Sequence, residues 1–223
     1  MGLSDMHLED APAPPGAGLP PDLMIHNVVA TSNFGCRVDM EKVAWACYGE
    51  YNPRTFRAVK LRLADSPKST ALVFASGKVV CTGSPSECAA LVSVNLYLRL
   101  VRKVHPEARL CSVTIQNIVA SCTLGRPVHL DSLARQLTLR SAFDPELFPG
   151  LRLKLKFPKT KVLVFCGGKC VIAGCRDRQA VAQALAAIRI IVTPHLWSET
   201  DARPEPTHTA LAAGRIAKRK GKM

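Results

Sequence analysis

The chain writes one hairpin twice. Residues 72–83 read LVFASGKVVCTG and residues 163–174 read LVFCGGKCVIAG, with seven of twelve positions identical at an offset of 91. Two more blocks return in the same order. IHNVVATS at 25–32 recurs as IQNIVASC at 115–122, and EYNPRTF at 50–56 recurs as AFDPELF at 142–148, at offsets of 90 and 92. Ordered blocks at nearly one spacing identify an internal duplication, and two copies are too few for a solenoid. The expected product is a pseudo-twofold pair of half-domains, residues 24–110 and 111–197.

Each half carries the same syntax. A β-branched run (25–33; 114–122) leads to a short helix with an acidic start (39–46; 131–137). A turn on Asn52-Pro53 or Asp144-Pro145 follows. Strands are then expected at 57–63, 70–76 and 78–83, and again at 151–157, 161–166 and 169–173. Ser76-Gly77 and Gly167-Gly168 supply the hairpin turns. A long helix closes each half, at 86–104 and 176–192.

The faces of these strands do not balance. In Ala71-Leu72-Val73-Phe74-Ala75 every residue is apolar, so both sides of the strand are greasy. One long and one short helix per half can cover only one side. Tight hairpins make the sheet antiparallel, and its other side is left apolar and flanked by Lys and Arg. A large open apolar face marks a partner surface.

Charge indicates the partner. The formal net charge is +13, with −4 on residues 1–23 and +3 on 198–223, leaving +14 for the body. A folded body this basic points to a polyanion, most simply nucleic acid. The first 23 residues are a Pro-, Ala- and Gly-rich leader expected to be disordered, and 198–223 reads as a flexible tail ending in a basic cluster. No apolar run approaches the ~18 residues of a membrane helix, and the start lacks the pattern of a signal peptide. Nine Cys occur without a CxxC pair, which speaks against zinc and against a disulfide scaffold and for a reducing compartment. No cofactor is expected.

Taken together, IHNVVAT, EYNPRTF, LVFASGKVVCTG, IQNIVASC, DPELFPGL and LVFCGGKCVIAG resemble the TATA-box-binding protein family over roughly residues 24–195. The resemblance implies an α+β saddle: a curved antiparallel sheet of about ten strands, with four helices on its convex face and DNA beneath the concave one. It further implies a non-enzymatic, nuclear initiation factor that bends promoter DNA from the minor groove, for which this family is a standard case. Phe56, Phe74, Phe148 and Phe165 match the family's intercalating wedges. Asn27 and Asn117 match its central Asn pair. Val29, Leu72, Val80, Thr82, Val119, Pro149, Leu163, Val171 and Ala173 fall along the minor-groove surface. Arg57, Arg62, Lys78, Arg152, Lys154 and Lys169 take phosphate positions. Asp144, Glu146 and Leu147 match the segment that meets transcription factor IIB, and the helix at 86–104 matches one that meets transcription factor IIA.

The departures from the pattern imply a divergent member. Ala173 stands where the family has a second central Thr, and His26 stands opposite Gln116 in the repeat. Thr55 replaces a customary Arg. The first half holds one extra residue, around 64–68. Residues 84–98 contain no Lys or Arg, although the family's helix there is basic. Three alternative uses of the open face remain at this point: a protein-interaction scaffold with weakened TATA specificity, an accessory domain of a repair enzyme, and a homodimer formed when DNA is absent.

Overall fold

The computed structural model describes residues 20, 22–65, 67–137 and 141–198. Most of the expected leader and tail therefore lies outside the described residues. The first half runs β1 (Met24–Asn33), α1 (Met40–Ala46), β2 (Glu50–Asn52), β3 (Phe56–Leu63), β4 (Ser69–Val73), β5 (Lys78–Ser84) and α2 (Glu87–Val101). The second runs β6 (Val113–Thr123), α3 (Leu130–Gln136), β7 (Ser141–Asp144), β8 (Phe148–Leu155), β9 (Thr160–Phe165), β10 (Lys169–Cys175) and α4 (Arg178–Val192). A 3-10 turn at Thr193–His195 follows.

All ten strands join one curved antiparallel sheet in the order β2-β3-β4-β5-β1-β6-β10-β9-β8-β7. The order reads the same from either end under the repeat, so the pseudo-twofold passes between β1 and β6. There Val28 faces Ile118, Asn27 faces Val119 and Val29 faces Asn117. The α+β saddle expected from the sequence is the observed architecture.

Burial alternates along the strands as the pleat requires. Val28, Ala30, Ala71, Val73, Val79, Cys81, Ile118, Ala120, Val162, Val164, Cys170 and Ile172 are at most 0% exposed, and all lie on the side covered by helices. On that side α2 packs on β5, β1 and β4, α4 on β10 and β6, α1 on β3, and α3 on β7 and β8. The helix starts follow from their caps. Asp39, Ser86 and Asp177 each accept a hydrogen bond from the N–H three residues on, at 3.1, 3.1 and 2.7 Å. This is why α4 begins at Arg178, two residues later than expected. Within the core the Tyr97 hydroxyl donates to the Ser69 carbonyl at 2.8 Å, and burial pushes its pKa up.

Two short edge strands depart from the expected pattern. The stretches around Asn52-Pro53 and Asp144-Pro145 read as turns, yet β2 and β7 pair with β3 and β8 on either side of them. β8 also begins at Phe148, before a Pro that cannot donate to a ladder. Pro149 is tolerated because it falls at the register shift between Ala142 and Asp144. The extra residue of the first half is accommodated where expected: 64–68 joins β3 to β4, and 156–159 joins β8 to β9.

Candidate nucleic-acid interface

The face opposite the helices is built from the other residue of each pleat. Across the first half Lys60 pairs with Leu72, Leu72 with Val80, and Val80 with Thr31. Across the second half Arg152 pairs with Leu163, Leu163 with Val171, and Val171 with Ser121. Each row runs from a cation at the margin to an apolar floor and a hydroxyl near the centre. Leu72, Val80, Leu163 and Val171 are only partly buried, because the helices pack on the other side of the sheet.

At each end of the floor stands a pair of Phe rings. Phe56 and Phe74 lie edge to face with centroids 6.1 Å apart, and Phe148 and Phe165 do so at 5.9 Å. Phe56 is 50% exposed. The Phe148 pair rests on Gly150, where a Cβ would come within 2.7 Å of the Phe148 ring and 3.0 Å of the Phe165 ring. Ala58 holds the matching place in the first half and is buried. Small residues under each pair were not singled out in the sequence. The only available signal was their shared position two residues after a wedge Phe.

At the centre the two Asn side chains are oriented by backbone. Asn27 Oδ1 accepts from the Gly83 N–H at 2.7 Å, and Asn117 Oδ1 accepts from the Gly174 N–H at 2.7 Å. Gly83 and Gly174 have φ of +94° and +110°, a conformation that a side chain would strain. With each oxygen tied down, each NH2 group is left to donate outward, which suits the A N3 and T O2 acceptors of a minor groove. The halves differ in one contact: the Thr82 hydroxyl also donates to Asn27 Oδ1 at 3.2 Å, and Ala173 cannot do the same for Asn117. Two matched polar links span β1 and β6. His26 Nε2 meets Ser121 Oγ at 2.6 Å, and Gln116 Nε2 donates to Thr31 Oγ1 at 2.9 Å.

The cations divide unequally. In the first half Glu50 bridges Lys60 at 3.0 Å and Arg62 at 3.4 Å, and these cations hold its carboxyl below the usual range. The repeat puts Ala142 in its place, directly opposite Arg152. Arg152 instead lies over the Phe148 ring, 5.0 Å from its centroid. Lys78 and Lys169 stand exposed at the starts of β5 and β10, on the open side with Val80 and Val171. Arg57 and Pro149 are exposed, and each follows a wedge Phe at the register shift that opens β3 or β8.

Asp144 closes the β7–β8 hairpin, accepting from the N–H groups of Glu146 and Leu147 at 3.1 and 3.3 Å. This Asx turn holds Leu147 81% exposed and leaves Glu146 at the tip. On the helix side, α2, whose one cation is Arg99 in the last turn, presents Leu91 and Val92 to solvent. Arg178 of α4 holds its first turn through a bidentate contact to Glu87, both bonds at 2.9 Å. All nine cysteines are free, and no cluster of metal-ligating side chains occurs among the described residues.

The comparisons with known proteins agree with this geometry. The family described as "Transcription factor TFIID (or TATA-binding protein, TBP)" matches residues 22–104 and 112–195. TATA-box-binding protein 1 of Triticum aestivum is 42% identical over 177 residues, 79% of this chain and 76% of that protein. The TATA-box-binding protein of Saccharomyces cerevisiae is 42% identical over 173 residues, 77% of this chain and 71% of that one. The solved structure of Methanococcus jannaschii TBP superposes with a TM-score of 0.69 at 33% identity, covering 78% of this chain and 99% of that chain. With twin Phe pairs, a central Asn pair and a ten-stranded sheet shared out between two matched segments, this chain belongs to the TATA-box-binding protein family.

Proposed function

We propose that this protein seats its open sheet face on the minor groove of promoter DNA, inserts one Phe pair at each end, and bends the duplex to nucleate an initiation complex. It is a transcription factor by family and not an enzyme. The observation that carries the mechanism is the pair of edge-to-face Phe couples, 6.1 and 5.9 Å between centroids, at opposite ends of an uncovered apolar floor. Apolar wedges replace lost base stacking without needing hydrogen-bond partners, which the minor groove supplies sparingly. The Asn27 and Asn117 amides read acceptors at the centre. Arg57, Arg62, Lys78, Arg152, Lys154 and Lys169, with Lys60 beside them, hold phosphates and set the register without reading sequence.

The hairpin tip at Glu146 and Leu147 is the docking point for a transcription factor IIB-like partner. The exposed Leu91 and Val92 of α2 form the docking patch for a transcription factor IIA-like partner, met through apolar side chains in place of a basic helix. With Ala173 lacking a hydroxyl, discrimination of TATA is blunter than in relatives, and partner proteins contribute more to placement. The same open face is free to self-associate when DNA is absent, and the site of action is the nucleus. No helix among the described residues is long and apolar enough to cross a membrane. The test is a bending assay by energy transfer across end-labelled duplexes, with single strands in parallel. The expected result is salt-dependent binding and bending of duplex with little affinity for single strands. Tighter binding to single strands refutes the wedge mechanism.

A further inference from the structure

Besides Glu50 against Ala142 at the margin, the two halves of the open face differ most in one row. In the first half Arg62 pairs with Thr70 and Thr70 with Thr82. In the second half Lys154 pairs with Lys161, Lys161 with Ala173, and Ala173 with Val119, which faces Asn27. Where the first half has two threonines, the second has a lysine beside an alanine. Lys161 is exposed and alternates with the buried Thr160 and Val162, so it lies on the open side with Leu163 and Phe165. It stands inside the margin, between a phosphate-height Lys and the floor.

Its surroundings make an anion the natural complement. Residues directly opposite on paired strands have Cβ atoms about 5 Å apart, and like charges so placed repel. Lys161 and Lys154 are such a pair. No ion pair among the described residues involves Arg152, Lys154, Lys161 or Lys169. In the first half Glu50 offsets Lys60 and Arg62, leaving three cations and one carboxylate, whereas the second half carries four cations and none. Ala173 adds space: without a γ atom it leaves the groove side of β10 open to the Lys161 stem.

We infer that Lys161 is a specificity-determining residue, whose ammonium enters the minor groove over Ala173 and donates to base-edge acceptors there. This rests on the proposed DNA reading of the face and deepens it. The cation replaces a hydroxyl's directional hydrogen bond with attraction to groove potential. That potential is most negative in narrow A·T-rich grooves. A G·C pair opposes the ammonium, because the guanine N2 amino group is itself a donor on the groove floor. The second half therefore selects against the guanine amino group, while reading the order of A and T less closely than a paired hydroxyl does.

Duplexes containing inosine isolate this term, since an I·C pair lacks the minor-groove amino group that G·C carries. Binding and bending of full-length protein are measured on A·T, I·C and G·C versions of one site, for wild type, Lys161→Met and Lys161→Arg. Methionine keeps the length of the stem and removes the charge, and circular dichroism checks the fold. The expected result is a roughly 10-fold loss on the A·T and I·C duplexes for Lys161→Met, a much smaller loss on G·C, and recovery with Lys161→Arg. An equal loss on all three, with the log–log salt slope reduced by about 0.9, marks a phosphate contact and overturns the inference. So does a Lys161→Met protein that behaves as wild type. A wild-type protein that bends none of the duplexes overturns instead the proposed function itself.

Discussion

Replacing Phe148 by Ala separates a wedge from a core residue. A buried Phe truncated to Ala costs about 3–5 kcal/mol of stability, mostly through the cavity it leaves. Phe148 leaves no cavity, because its ring lies on the uncovered face and touches mainly Phe165, at 5.9 Å between centroids, and Arg152, at 5.0 Å. The aromatic pair is worth about 0.5–1.5 kcal/mol, and an exposed cation–π contact about 0.5–1 kcal/mol. The expected stability loss is therefore about 1–2.5 kcal/mol as an upper bound, a fall in Tm of roughly 2–10 °C for a domain of this size. Binding loses more, because in the complex the ring passes from water into a base step. Full burial of a Phe side chain contributes about 1.5–3 kcal/mol, a factor of roughly 10–150 in affinity. The bend at that end should also relax. Thermal melts followed by circular dichroism report the first quantity, and energy transfer across a labelled duplex reports the second. A Phe148→Ala protein that unfolds at working temperature, or one that bends DNA as fully as wild type, refutes the assignment.

Two further substitutions probe the unequal halves. Ala173→Thr places a hydroxyl where Thr82 has one, within reach of Asn117 Oδ1 as Thr82 is of Asn27 at 3.2 Å. In a Lys161→Thr background, titration should show TATA affinity rising about 2–13-fold with non-specific duplex unchanged; equal gains on both DNAs would exclude position 173 from reading the centre. Glu50→Ala writes Ala142 of the second half into the first and releases Lys60 and Arg62 from their contacts at 3.0 and 3.4 Å. Affinity should rise on every duplex with a steeper dependence on salt, and an unchanged salt slope would show that these two cations do not reach phosphate.

Much of this molecule is written locally and twice, and that part is legible without coordinates. Apolar runs closed by Gly turns in LVFASGKVV and LVFCGGKCV mark strands, the acidic starts at Asp39 and Asp131 and the Ser-Pro-Ser of 84–86 announce helices, and recurrence near 91 residues pairs the wedges, the Asn and the floor. An excess of apolar strand over available helix already implies an open face. What depends on neighbours brought together from distant positions is not legible. β2 and β7 span only 50–52 and 141–144, too short for a periodicity to register, and become strands only because β3 and β8 offer partners. Ladder register decides that Lys161 stands between Lys154 and Ala173, and that Glu50 offsets Lys60 while Ala142 leaves Arg152 without a carboxylate opposite. Bulges near Val28–Ala30 and Ala173–Cys175 swing the Gly83 and Gly174 N–H groups onto the Asn oxygens. Such contacts are set by backbone hydrogen bonds between segments far apart in the chain, which side-chain pattern does not encode. The duplication therefore shows that both halves do the same kind of work, and the cross-strand pairing decides where they do it differently.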